Sequence, residues 1–510
     1  MWPLSRHTRQ TTLFLTPEPS LVTGYPMTIQ EQLPNTLTTA STLSSELPKK
    51  PARSLNICLL GYRSHPFVGG QGIYLKYLSK ALVEAGHKVD VISGPPYPDL
   101  DPRVGLVEIP SLDLFSVESH VTALRPRHLK SWSDFFEWWA MLTGGFAEPY
   151  TFTRRVVKYL RKNGHNYDII HDNQSLGYGL LDLQKQGIPV VATVHHPITR
   201  DRQLALDAAP DWKHRLLTRR WYSFLGMQGK VVRGLKHIVT VSEQSRGDIA
   251  EAFSRSADDI SLIYNGIDTD TFSPQPHIER KPFRIMTTAS ADQPLKGLKY
   301  LLEAMALLKS DYPELELLVV GKLKEGGQTE LQLKQLNLGS AVKFVSGIST
   351  EQMVEHYSEA AIAVSPSLYE GFGLPAGEAM SCGCAVISSD GGALPEVVGD
   401  AGLIVKAGNS EALAKALQTL LESPEKRAEY GQLGRQRILD TFCWKVAARQ
   451  FSQYYLNLLD TEQQPVALED TDNADADLNQ TALSQQTALS QQTALSQQTA
   501  LSQQTTSVSG

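Results

Sequence analysis

The feature that most constrains this chain is an alternation of short apolar runs with helical stretches, laid down twice in succession. The first series opens at Asn56-Ile57-Cys58-Leu59-Leu60-Gly61, which reads as a buried strand. A loop from Tyr62 to Gly72 follows and ends in Gly69-Gly70-Gln71-Gly72. From Ile73 to Ala85 the apolar residues (Ile73, Tyr77, Leu78, Leu82) fall at helical spacing, and Gly86 stops them. His87 to Ile92 reads as the next strand. Strand, glycine loop, helix, strand is the opening of a doubly wound α/β domain. Further strands are predicted at 167–171, 189–195 and 237–242. After Pro282 a second series predicts strands at 283–287, 315–321, 342–344, 361–364, 385–388 and 402–405, with helical segments such as 299–309 and 410–421 between them. The expected fold class is therefore α/β, with two Rossmann-like domains facing across a cleft. Ligands of such sheets bind at the carboxyl ends of the strands, so the cleft is the expected site.

The flanks have a different character. Residues 1–53 are rich in Thr, Pro, Ser and Leu without periodicity and read as a disordered leader. The expected organisation is an amino-terminal domain over 54–272, a carboxy-terminal domain over 273–441, and a last helix over 442–460 returning to the first domain. The segment 461–510 holds six acids, no base and four copies of TALSQQ, and reads as a disordered tail.

Charge and cysteine content narrow the function. Lys and Arg total 48 against 54 Asp and Glu, a net charge of −6, and the six tail acids account for all of it. A balanced body argues against a nucleic-acid binder. Four cysteines make no disulfide framework, and Cys382-Gly383-Cys384 lacks the partners of a metal site. A cytoplasmic protein is expected. No run reaches about 18 apolar residues, so any membrane contact is peripheral, on the inner face.

The strongest chemical signal is Ser365-Pro366-Ser367-Leu368-Tyr369-Glu370-Gly371-Phe372-Gly373-Leu374-Pro375-Ala376-Gly377-Glu378-Ala379. It follows a predicted strand and leads into a helix. Glycines at such a turn let backbone N–H groups approach an anion, and the helix N-terminus favours negative charge. Glu370 and Glu378 flank the turn. Carboxylates beside a bound diphosphate need hydroxyl donors, which sugars and riboses supply. On chemistry alone, a plain glycine turn with a helix glutamate accounts for the residues equally well.

Glu370 through Glu378 resembles the E-x7-E motif of glycosyltransferase family 4. Asn265-Gly266-Ile267-Asp268-Thr269-Asp270-Thr271-Phe272-Ser273-Pro274 is similar to that family's linker, Gly69-Gly70 to its amino-terminal glycine loop, and Gly391-Gly392-Ala393-Leu394-Pro395-Glu396-Val397-Val398 to the stretch after its motif helix. The resemblance runs from about Leu55 to Leu459. It implies a GT-B fold and a retaining transfer of a hexose from a nucleotide-sugar, with no metal or other cofactor. It also implies site residues. Glu370 would hold donor-sugar hydroxyls and Glu378 the ribose. The amides of Phe372, Gly373 and Leu374 would meet the diphosphate or the sugar. Gly69 and Gly70 would approach the phosphates from the opposite domain, and Lys296 would neutralise the diphosphate. His195 by position alone reads as a loop cap; the resemblance places it beside the donor sugar, with Glu370 as its catalytic partner. One departure stands out: the family's Arg shortly before Lys296-Gly297 is replaced by Ser290 or Ala291. It is the one support for a non-catalytic nucleotide-sugar-binding relative. Asp268-Thr269-Asp270 spells a metal-binding D-x-D, but within the linker.

The acceptor is read from another stretch. Residues 212–236 hold seven Lys or Arg and no acid, with Leu217, Trp221, Phe224, Leu225, Val231, Val232 and Leu235 interleaved. Phe135, Phe136, Trp138, Trp139 and Met141 form an apolar cluster after Arg125-Pro126-Arg127-His128. A basic amphipathic helix beside aromatic residues suits an anionic membrane surface, and equally a helix packed on a core with a solvated basic face. The expected acceptor is a membrane lipid or membrane-associated glycan; the alternative is a soluble sugar, sugar phosphate or polysaccharide end.

Overall fold

The computed structural model describes residues 53–66, 70–114, 116, 125–207, 209–289 and 292–463. The leader before Arg53, Gly69, Ser290, Ala291 and the tail from 464 lie outside the described residues.

Thirteen parallel strands are described, in two sheets. The first has β1 (Asn56–Gly61), β2 (Lys88–Ser93), β3 (Gly105–Glu108), β4 (Ile169–Asn173), β5 (Val190–Val194), β6 (His237–Thr240) and β7 (Ile260–Leu262), in the order β3-β2-β1-β4-β5-β6-β7. The second has β8 (Lys281–Thr288), β9 (Glu316–Val320), β10 (Val342–Val345), β11 (Ala360–Ser365), β12 (Ala385–Ser389) and β13 (Leu403–Val405), in the order β10-β9-β8-β11-β12-β13. This is the two-lobed GT-B architecture. Strand order reverses between β1 and β4 and again between β8 and β11, so each sheet offers a crevice at its carboxyl edge.

The apolar runs are buried on both faces, as parallel sheets require. One face of the first sheet packs on the helix Gly70–Ala85 and on the last helix, Trp444–Gln463, through Leu75, Leu78, Phe451 and Tyr455. The other face takes the helices Glu148–Asn163, Gly179–Lys185, Leu225–Gly234 and Glu243–Phe253. The second sheet carries Leu298–Leu308 and Ser410–Leu421 on one face. Its other face carries Leu374–Ser381.

Two local readings change. The first helix starts at Gly70 rather than Ile73, so Gly70 to Gly72 form its first turn. A Cβ on Gly72 would come within 2.2 Å of the His65 carbonyl, which accounts for the glycine. The stretch 212–236 is not one amphipathic helix. Trp212–Trp221 buries none of its residues, a 3-10 turn Tyr222–Phe224 follows, and Leu225–Gly234 packs Leu225, Met227, Val231 and Val232 into the core.

The chain crosses between lobes twice. At the second crossing Ile267 N–H donates to the Phe442 carbonyl (2.6 Å), and Arg435 donates to the carbonyls of Phe272 (2.9 Å) and Thr269 (3.1 Å). All four cysteines are buried and free.

Candidate active site

The lobes enclose a cleft of about 650 Å³ at the carboxyl ends of both sheets. It gathers Gly70, His195, Lys296, Glu370, Phe372, Gly373, Leu374 and Glu378 around one space. Every site residue expected from the sequence lines it except Gly69, which lies outside the described residues.

On the carboxy-terminal wall, Lys296 Nζ donates to Glu370 Oε1 at 2.7 Å, and Ser367 Oγ donates to the same oxygen at 2.9 Å. The backbone sets this up. Lys296 closes a 3-10 turn before Gly297, whose φ is +65° and whose hypothetical Cβ would lie 1.9 Å from the Pro366 carbonyl. Leu368 N–H donates to the Leu295 carbonyl (2.8 Å), tying the two loops together. Gly392 lies against the Glu370 backbone and Gly391 against Ser367 and Leu368, so closely that a Cβ on either would come within 2.2 Å of a carbonyl oxygen. Ala393 N–H then donates to the Glu370 carbonyl (2.9 Å).

Gly373, at φ +104°, caps the helix Leu374–Ser381. The amides of Phe372, Gly373 and Leu374 have no hydrogen-bond acceptor among the described residues. They point the donors of a helix N-terminus at the cleft. The Phe372 side chain turns inward, edge-on to Phe442 at 5.9 Å, so only its main chain serves the cleft. Glu378 lies one turn into the helix, with Tyr357 Oη donating to its Oε2 at 3.4 Å. Burial pushes its carboxyl up to about 8.

His195 follows β5 on the amino-terminal wall. Its N–H donates to Gln174 Oε1 (2.7 Å), and Gln174 Nε2 donates to the His196 carbonyl (2.8 Å). Asn173 Nδ2 donates to the Gln71 carbonyl (3.0 Å), which turns Asn173 Oδ1 towards His195 Nε2 at 2.7 Å. That network assigns the ring proton to Nε2 and leaves Nδ1 as an acceptor. Burial pushes His195 down to about 3, so the ring is neutral at pH 7. Tyr74 packs edge-on against it at 4.7 Å. Behind them His171 bonds Thr193 Oγ1 through Nε2 (2.7 Å) and Tyr455 Oη through Nδ1 (2.6 Å).

Asn173, Gln174 and Asn265 are absent from the sequence reading of the site. Asn173 ends β4 and Gln174 follows it, and polar residues at a strand's carboxyl end were the available signal. Asn265 lines the cleft from the linker, its Oδ1 buried without a partner among the described residues.

Asp268 and Asp270 serve the linker. Asp268 Oδ1 accepts the amides of Asp270 and Thr271 (3.3 Å each), and Asp270 pairs with Lys445 (3.3 Å). Among the described residues no cluster of three His, Cys, Asp or Glu is placed to hold a metal ion. No described helix is long and apolar enough to cross a membrane.

Residues 68–271 match the family profile Glycosyltransferase Family 4, and 269–437 match Glycosyl transferases group 1. The chain is 43% identical over 405 residues to the MMP alpha-(1->4)-mannosyltransferase of Mycolicibacterium hassiacum, covering 79% of this chain and 98% of that protein. It belongs to glycosyltransferase family 4. Glycogen synthase of Mycobacterium tuberculosis is 27% identical over 433 residues, covering 81% of this chain and 97% of that protein. Sucrose-phosphate synthase from Thermosynechococcus elongatus superposes with a TM-score of 0.59 at 26% identity, over 80% of this chain and all of that one. The family 4 chain is thus a nucleotide-sugar-dependent glycosyltransferase of the GT-B class.

Proposed function

We propose that this enzyme transfers a hexose, with retention of configuration, from a nucleotide-sugar to a hydroxyl of a soluble sugar or polysaccharide acceptor. The observation that carries the reading is the Lys296–Glu370 pair beside the unpartnered amides of 372–374, facing the neutral His195 across the cleft. Lys296 and the helix N-terminus stabilise the leaving diphosphate, the electrostatic contribution that usually dominates such catalysis. Gly70, with Gly69 before it, brings the opposite lobe up to the phosphates. Glu370 holds sugar hydroxyls and Glu378 the ribose. His195 Nδ1 accepts from the donor sugar. The bond from the anomeric carbon to the diphosphate breaks. The acceptor oxygen bonds that carbon on the same face, and its proton passes to the departing phosphate oxygen. Lobe closure keeps water from the activated sugar.

The relatives' names support a soluble acceptor over the membrane lipid expected from residues 212–236, since they speak of glycogen and sucrose phosphate. The mannosyltransferase puts mannose first among donor sugars to try. The lipid reading keeps two observations, the exposed Trp212 and Leu216 on a basic helix and a relative named as a phosphatidyl-myo-inositol mannosyltransferase. A donor panel scored by nucleoside diphosphate release, run with soluble glycans and separately with anionic vesicles, tests the choice. Release that depends on vesicles overturns the soluble reading.

A further inference from the structure

We infer that the amino-terminal wall of the cleft is a stacking subsite for a neutral oligosaccharide acceptor, with Trp221 and Phe146 as its platform. This rests on the proposed transfer and names its acceptor class. The two rings lie nearly parallel, 20° apart with centroids at 5.4 Å. Phe224 meets Phe146 edge-on at 5.3 Å and Tyr62 does so at 6.1 Å. All four line the cleft, across from Glu370 and Lys296. The platform is fixed from behind. Arg220 Nη2 donates to Thr143 Oγ1 at 3.0 Å, and its guanidinium covers Gly145 so closely that a Cβ there would come within 2.6 Å. A pyranose offers an apolar C–H face and a rim of hydroxyls, and a rigid aromatic surface with few polar groups is built for the face.

Charge selects against a phosphorylated or acidic acceptor. Among the described residues lining the cleft, Lys296 is the one Lys or Arg, and it is on the other wall, bonded to Glu370. Among the described residues lining this wall, an acceptor phosphate would meet no guanidinium or ammonium group, the contacts that are about twice as strong as neutral ones.

The apolar surface also continues outward. Leu217 lies over Gly144, next to the loop that carries Phe146, and Leu142, Leu216 and Trp212 follow it into solvent, the last 70% exposed. A single acceptor sugar would reach only the platform, whereas a chain would use the strip as well.

The test compares neutral oligosaccharides of increasing length with a sugar phosphate, at fixed donor, in the wild type and in Trp221→Leu, Phe146→Leu and Trp221→Phe. The wild-type KM is expected to fall with chain length. Trp221→Leu should raise the oligosaccharide KM about 30-fold, the fold-change of a buried aromatic anchor, and abolish the length dependence. Nucleoside diphosphate affinity by calorimetry should be unchanged, and Trp221→Phe should keep most of the effect, which separates stacking from misfolding. Equal KM values in Trp221→Leu and wild type, or a wild-type preference for the sugar phosphate, overturn the inference. Absence of nucleoside diphosphate release from every donor overturns the transfer reading itself.

Discussion

Lys296 and Glu370 come from different loops, after β8 and β11, and meet at 2.7 Å in the cleft proposed to receive the donor's diphosphate. The cation is therefore already engaged, and a donor has to share it with the carboxylate. Lys296→Gln and Glu370→Gln should each lower kcat/KM by about 10²–10³-fold, the usual cost of removing one group that stabilises developing charge. Because they act as a pair, the double variant should lose far less than the product of the two. Additive losses in a full cycle would separate the two residues.

Glu378 is pushed up to about 8 by burial, yet a carboxylate that accepts ribose hydroxyls does so best when ionised. Donor binding should release a proton below pH 8. Affinity should rise with pH up to about 8 and then level, by at most about tenfold per pH unit. Calorimetry in buffers of different ionisation enthalpy measures the proton directly. Proton uptake, or an unchanged pH profile in Glu378→Gln, would contradict the role.

His171 is held near 3 by burial and bonded to Tyr455 and Thr193. In the unfolded chain it titrates near 6.5. Its folded pKa is depressed, so the unfolded state gains the proton first as pH falls. Stability is full above about 6.5 and is lost down to about 3, by up to about 1.4 kcal/mol per pH unit. Tyr455→Phe leaves His171 Nδ1 unsatisfied and should cost about 1–3 kcal/mol. Thermal unfolding between pH 7.5 and 5 reads both effects, and His171→Asn should flatten the slope.

Gly297→Ala should lower Tm and transfer together, because its Cβ would strike the Pro366 carbonyl and shift Lys296. A loss of about 1–3 kcal/mol is expected. Gly326 is the control, with a similar φ of +68° and nothing within 4 Å of a Cβ. Gly326→Ala should cost about 1 kcal/mol and leave activity alone.

Glu396 reaches from the carboxy-terminal lobe to cap a helix of the other, accepting the amides of Glu243 (2.7 Å) and Gln244 (2.8 Å). Ser242 Oγ donates to the Gly371 carbonyl at 2.8 Å beside it, and Tyr369 Oη to Asp248 at 2.5 Å. Glu396→Ala should weaken lobe closure, raising the donor KM and the radius of gyration measured by X-ray scattering in solution. Unchanged values of both would show that the contact is incidental.

Most of the fold was legible because strands buried on both faces leave continuous apolar runs, as at 57–60 and 190–194. β3 and β7 were not. The first alternates half-buried with exposed residues and the second is three residues long, so neither leaves such a run. The donor wall was legible because close backbone approach demands glycine at fixed places. The opposite wall was not: Asn173 and Gln174 are ordinary polar residues until β4 and β5 bring them to His195. Charge spacing over 212–236 suggested one helix, because periodicity does not reveal the turn at Tyr222–Phe224 that sends one half to solvent and the other to the core.

The last helix supplies Trp444, Phe451, Tyr455 and Leu459 to the core of the amino-terminal lobe. That lobe is therefore the first to be synthesised and the last to be completed. Until residues 444–459 have been made, the part of the β1 sheet that Gly70–Ala85 does not cover stays open, and the apolar surface awaiting Phe451 and Tyr455 is an aggregation liability.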